Sequence, residues 1–199
     1  MSVVGIDPSL TACGIAVLKH RCAHERWTPQ HVSCDRMCAY IDDLRAVGHR
    51  GRDAASWDER SDRVVAQARH VAKRVPVDAE LVVIEGPSYG SAHGHAFDRA
   101  GLWMGIYSAL RARRIPIAVC APGTRAKWAT GSGRAQKADV LAAVRDQWPD
   151  NRIQNDNEAD ALTMAAMGAL HLGWPLPFEI KDRHHAGLEV VAWPKERTA

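Results

Sequence analysis

The chain has 199 residues, 46% of them hydrophobic and 25% charged, with a formal net charge of +3. That length suits one domain with a sizeable core, and the composition excludes a disordered chain. No apolar run approaches the roughly 18 residues of a membrane span, and the N-terminus lacks the basic-then-apolar pattern of a signal peptide. A cytoplasmic protein without a membrane partner is therefore expected.

In chain order, residues 2–7 and 13–19 predict two strands around the turn "PSLTACG", and residues 31–41 a weaker third strand of the same meander. The stretch Asp42–Ser56, rich in arginine and broken by glycine, has no clear period and reads as a loop. "SWDERSDRVVAQARHVAKRV" predicts a helix, with Ser56 and Glu59 in capping-box register and Val64, Ala68, Val71 and Val75 as its apolar stripe. After Pro76, "ELVVIE" is a short apolar run of the kind a sheet buries on both faces. A second helix follows at about 95–113, then a strand in "IPIAVCAP". Two shorter helices at about 123–130 and 136–148 are split by the glycine loop "TGSGRAQ". A last helix runs from about Asn157 to Leu172, with Gly173 in the stop position. Strands first and alternating helices and strands afterwards predict a mixed α/β domain over residues 1–173. Residues 174–199 read as an extension of unknown role with one strand expected in "LEVVAW".

Three carboxylates stand against this apolar background. Asp7 ends the first strand, where a buried charge is costly unless an ion or donors compensate it, although Asp-Pro-Ser is also a good turn starter. Glu85 ends "LVVIE", an unfavourable place for glutamate without a partner or a solvated rim. Asp160 lies in the first turn of the last helix, which the helix dipole alone would favour. Neighbouring strands lie about 5 Å apart, so Asp7 and Glu85 on adjacent strands could share one hard cation, with Asp160 joining from the helix. Divalent ions would relieve the repulsion among the three, and a pair of them about 4 Å apart is a device for in-line phosphodiester displacement.

Cations concentrate in "GHRGRD" (48–53), "RARR" (111–114) and "RAKWATGSGRAQK" (125–137), where a phosphate backbone could reach them; each cluster alone also suits an ordinary solvated face. The cysteines (Cys13, Cys22, Cys34, Cys38, Cys120) are expected as reduced thiols. Cys22, His24, Cys34 and Cys38 lack the paired spacing of a zinc knuckle, which favours packing roles over a metal.

Four stretches, "VVGIDPSLTACGIAV", "LVVIEGPSYG", "TGSGRAQKADVLAAV" and "NEADALTMAAMGAL", run in the order and spacing of the RuvC-type Holliday junction resolvases, and over residues 1–172 the chain resembles that family of the ribonuclease H-like superfamily. The resemblance implies a five-stranded mixed sheet flanked by helices. It also implies an Mg2+-dependent endonuclease that nicks four-way or otherwise branched DNA by two-metal hydrolysis, with two Mg2+ per site and Mn2+ able to substitute. Two symmetric nicks imply a homodimer, for which the helix carrying Gly101, Leu102, Met104, Gly105 and Tyr107 is a candidate face; those residues equally suit a core. Asp7, Glu85 and Asp160 fall on family metal positions. The fourth position holds Asn157, whose carbonyl oxygen can ligate but cannot act as a base, with Asp156 in reserve and Glu158 beside it. Lys137 matches a catalytic lysine near the scissile phosphate. Arg125 and Lys127 lie near a second such lysine, one residue out of register. Tyr89 lies near an aromatic that wedges into the junction, with His93 and His95 close by. A branch-general or RNA/DNA-hybrid nuclease on the same fold, or a non-catalytic junction or nucleotide binder, would share these features.

Overall fold

A computed structural model describes residues 1–22, 37–87 and 96–195. The elements in order are β1 (Ser2–Asp7), β2 (Cys13–Cys22), β3 (Met37–Val47), α1 (Trp57–Arg74), β4 (Ala79–Glu85), α2 (Ala96–Ala112), β5 (Ile117–Cys120), α3 (Pro122–Thr130), α4 (Lys137–Gln147), α5 (Asp156–His171) and α6 (Asp182–Leu188). The strands form one five-stranded sheet in the order β3-β2-β1-β4-β5. The meander pairs antiparallel, and β4 and β5 join it in parallel, as expected for the mixed sheet.

The two-residue period of the strands sorts the core into two layers. Val3, Ala16, Leu18, Leu81, Val83 and Ala118 point to the side covered by α3, α4 and α5. Val4, Ile6, Ile15, Val17, Val82 and Ile84 point to the side covered by α1 and α2, where Val71, Leu102, Ile106 and Leu110 meet them. α5 is buried along Glu158–Ala169, because it is enclosed by the sheet on one side and by helices on the other.

Local chemistry fixes the helix starts. The Ser56 hydroxyl accepts from the Glu59 amide at 3.2 Å while the Ser56 amide donates to the Glu59 carboxylate at 2.8 Å, so the capping box forms as the sequence predicts. Pro122 opens α3, and Gly131 closes it in the left-handed region at φ 93°. The third strand differs from its expected place: it runs to Val47, through residues read from sequence as loop. As an outer strand it carries charge on its open surface, Asp42 pairing with Lys19 at 2.9 Å and Arg45 donating to Asp43, and these residues masked the strand pattern.

Residues 174–195 pack onto the α5 side. Trp174, Leu176 and Val191 are buried there, and Phe178 meets Trp128 and Trp148 edge-on, with ring centroids at 6.1 and 5.9 Å. Where a strand was expected in "LEVVAW", the structure forms α6 and then a single antiparallel bridge between Ala192 and Val119 of β5. At the opposite edge, the Ala39 amide of β3 donates to the Pro175 carbonyl at 2.9 Å. Among the described residues no helix is long and apolar enough to cross a membrane.

Two glycines let α5 lie directly on the sheet backbone. A Cβ on Gly5 would stand 1.9 Å from the Ala161 carbonyl oxygen and 2.6 Å from the Ala165 amide; a Cβ on Gly14 would stand 2.0 Å from the Asn157 carbonyl oxygen. Neither obstacle is a side chain that could swing aside. Gly5→Ala is therefore expected to lower the melting temperature by about 6 °C or more, whereas Gly101→Ala in α2, whose Cβ would meet only a Val64 methyl at 3.6 Å, should leave it unchanged or raise it by about 2 °C. Thermal unfolding of the two variants beside the wild type measures both.

A carboxylate cluster bridged by arginine

Strand register brings the first two carboxylates together. Ile6 pairs with Ile84 across the parallel β1–β4 ladder, so Asp7 and Glu85 occupy the next rung, at the ends of adjacent strands. Each lies two residues beyond a neighbour on the α5 side, Gly5 and Val83, and therefore shares that face. Asp160, in the first turns of α5, comes down over the same spot because the helix rests on Gly5 and Gly14.

The electrostatics follow from this convergence. The Asp7 carboxyl is pushed up to about 7, first by burial and then by the neighbouring charges of Glu85 and Asp160. Asp160 is pushed up to about 6, again mainly by burial, with Glu85 adding and Arg125 opposing. Arg125, on α3, sits between two of the three: its Nε donates to Glu85 Oε2 at 2.6 Å and its Nη1 donates to Asp160 Oδ1. The Arg125 side chain is only 11% exposed, and despite burial its proton is held more tightly than usual by Glu85 and Asp160. The sequence offers Arg125 as a DNA contact. Its place inside the carboxylate cluster is not legible there, since no pattern links it to residues 40 and 35 positions away.

Lys137, at the first residue of α4, donates to Asp156 Oδ2, an ion pair that raises the lysine and lowers the acid, and its charge reaches Asp160 and Asp7. Asp156 is thus held by Lys137, and Glu158 is consumed by the start of α5, accepting from the Gln154 amide at 2.8 Å and from Asn155 Nδ2 at 3.2 Å. Of the residues weighed for the fourth position, Asn157 alone is left without such an engagement, half-buried with its backbone against Gly14. Lys127 is exposed on α3, outside the cluster. Tyr89, His93, His95 and the side chains of Cys22, His24, Cys34 and Cys38 lie outside the described residues. Cys13 and Cys120 are free, buried thiols pushed up to about 12, which makes them inert packing groups.

Among the described residues no three His, Cys, Asp or Glu side chains are grouped closely enough to enclose an ion as they stand. The donor chemistry nevertheless fits a hard divalent cation: all the converging donors are carboxylate oxygens, they are mostly buried, and burial together with neighbouring negative charge makes Asp7 and Asp160 hold their protons more tightly than ordinary carboxyls. Arg125 supplies only a single positive charge against three acids.

Comparison with known proteins follows the same direction. No family model matches the chain. It is 31% identical over 194 residues to a crossover junction endodeoxyribonuclease RuvC of Bifidobacterium longum, covering 92% of this chain and 87% of the relative. It is 30% identical over 188 residues to the protein of that name from B. longum subsp. infantis, with the same coverage. Among solved structures, Thermus thermophilus RuvC superposes with a TM-score of 0.60 at 21% identity, covering 87% of this chain and 97% of that one. T. thermophilus RuvC in complex with a Holliday junction substrate gives 0.61 at 22% identity, covering 86% and 94%. The yeast mitochondrial Holliday junction resolvase gives 0.51 at 13%, covering 94% and 80%. At these identities the structures speak for the fold.

The raised acids have a consequence for stability. A carboxyl whose folded pKa lies above its unfolded value of 3.8 favours the folded state fully below that value, and the contribution is lost as pH rises through the folded pKa, here about 7 for Asp7 and about 6 for Asp160. In chelator, the wild type should lose stability between about pH 4 and pH 7. Asp7→Asn should flatten that slope and melt several degrees higher than wild type at pH 8, with little difference near pH 4; melting curves across this range decide it.

Proposed function

The chain belongs to the RuvC family of crossover junction endodeoxyribonucleases, hydrolases acting on DNA, and we propose that it resolves Holliday junctions by paired nicks made at the carboxylate cluster of Asp7, Glu85 and Asp160. The observation that carries this reading is the meeting of three acids from β1, β4 and α5, separated widely in sequence, at one buried spot of a RuvC-like fold.

Asp7, Glu85 and Asp160 would hold two Mg2+ ions, or Mn2+ in their place, with Asn157 adding a neutral carbonyl oxygen from the first turn of α5. When bound, such ions supply Lewis acidity at the scissile phosphodiester and raise the nucleophilicity of water beside it. The protein does the positioning. Burial strengthens every interaction in the cluster. Asp156 holds the Lys137 ammonium beside the acids, where it can offset negative charge that grows on the phosphate as the bond breaks. Asparagine at the fourth position lowers the anionic charge of the site and removes one proton acceptor, so Asp7, Glu85 and Asp160 carry the cation-binding charge.

Cleaving a two-fold junction symmetrically needs two such sites, which a homodimer would supply. Consistent with that, Phe97 and Met104 on α2 and Trp57 on α1 are exposed at 76%, 54% and 69%, and Trp57 and Phe97 touch edge-on at 6.3 Å. This apolar surface is one that a second copy could cover.

Asp7→Asn and Glu85→Gln should each cut the rate of four-way junction nicking by about a hundredfold or more while leaving junction affinity intact or tighter, since each removes a negative charge facing phosphate. Nicking assays beside gel-shift titrations test the pair, and unchanged turnover in either variant would rule out this site. Lys137→Ala should slow nicking by about 10- to 100-fold with a smaller effect on binding. A loss confined to binding would make Lys137 a backbone contact.

A further inference from the structure

The position of Arg125 bears on how the site fills, and this step rests on the metal-binding reading above. Its guanidinium does not point out toward solvent, the side chain being 11% exposed. It lies in the cluster, donating to Glu85 at 2.6 Å through Nε and to Asp160 through Nη1, with Asp7 within electrostatic range. Side-chain exposure is 11% for Arg125, 15% for Glu85 and 6% for Asp160, so water does little to screen these contacts.

We propose that Arg125 is a resident cation that occupies the metal position of the unloaded site, and that a divalent ion must displace it to bind. The two cannot share the space. Mg2+ demands oxygens at about 2.1 Å in near-octahedral array, whereas a planar guanidinium holds the same oxygens at hydrogen-bond distance and repels a second cation. The residue has a reason to be there. Without it, three acids would face one another in a buried pocket with no cation inside, and the metal-free protein would be less stable. Its cost is borne at binding: the free energy of the Arg125–Glu85–Asp160 bridge is subtracted from that of metal binding, which raises the metal concentration at which the site fills. Arg125 thereby acts as a positioning residue that tunes occupancy, distinct from Lys137, which lies at the rim with a side chain 76% exposed.

The test is calorimetric titration of Mn2+ into the full chain without DNA. Arg125→Gln should bind Mn2+ about tenfold more tightly than wild type while melting lower in chelator, and Arg125→Lys should fall between. Equal or weaker Mn2+ binding by Arg125→Gln, with binding abolished by Asp7→Asn, would overturn the displacement and leave the metal site standing. Absence of Mn2+ binding by both wild type and Arg125→Gln at millimolar concentration would remove the metal site and this inference together. Because Arg125→Gln leaves buried acids unneutralised and could fail to fold, the wild type supplies a second readout. The Arg125 Nε–H NMR resonance should be protected from solvent exchange in chelator and lose that protection on addition of Mg2+. Retained protection at saturating Mg2+ would overturn the proposal.

Discussion

The molecule turns on a contact between backbones. α5 touches β1 and β2 with no side chain between them, through Gly5 against Ala161 and Ala165 and through Gly14 against Asn157. A helix packed on a sheet through ordinary side chains would stand several ångströms higher, and its first-turn carboxylate would miss the strand ends. Everything about the site inherits from this closeness: which acids meet, how deeply they are buried, and how strongly they repel. Small residues continue the theme along the helix, where a Cβ on Gly168 would meet Val3 and Val83 methyls at 2.7 and 2.9 Å. A single layer of missing methyl groups thus sets the depth of the chemistry.

The site is a balance between that depth and charge. Bringing carboxylates under α5 removes water that would otherwise solvate them, and the fold answers with two cations of different kinds. Arg125 enters the cluster, more buried than Glu85 and less than Asp160, while Lys137 stays at the surface, tethered by Asp156. The division follows the chemistry of the side chains. A guanidinium is weakly hydrated and can offer parallel donors to two carboxylates, whereas an ammonium is strongly hydrated and serves better as a point charge at the rim.

How much of this could be read from the residues depends on range. Asp7 and Glu85 were legible because each ends an apolar run with a charge, and strand alternation then places them on one face. The α1 capping box was legible because it is encoded within four residues. β3 was only partly so: an outer strand with Asp42, Asp43 and Arg45 on open surface lacks the alternation that marks a half-buried strand. The fourth position was narrowed only by packing, since nothing local shows that Glu158 serves the helix start or that Asp156 is held by a lysine 19 residues away. Arg125 lay further out of reach, because its partners are set by how α3 sits against the sheet.

One segment ties the far edges of the sheet together. Residues 174–195 reach β3 at Ala39 through the Pro175 carbonyl and β5 at Val119 through Ala192, at opposite ends of the strand order. The outermost strands of an open sheet are normally the first to fray and the ones that recruit foreign strands. Here one segment is hydrogen-bonded to both, so loosening at one border is coupled to loosening at the other, and a foreign strand approaching either border meets backbone groups already engaged at those points.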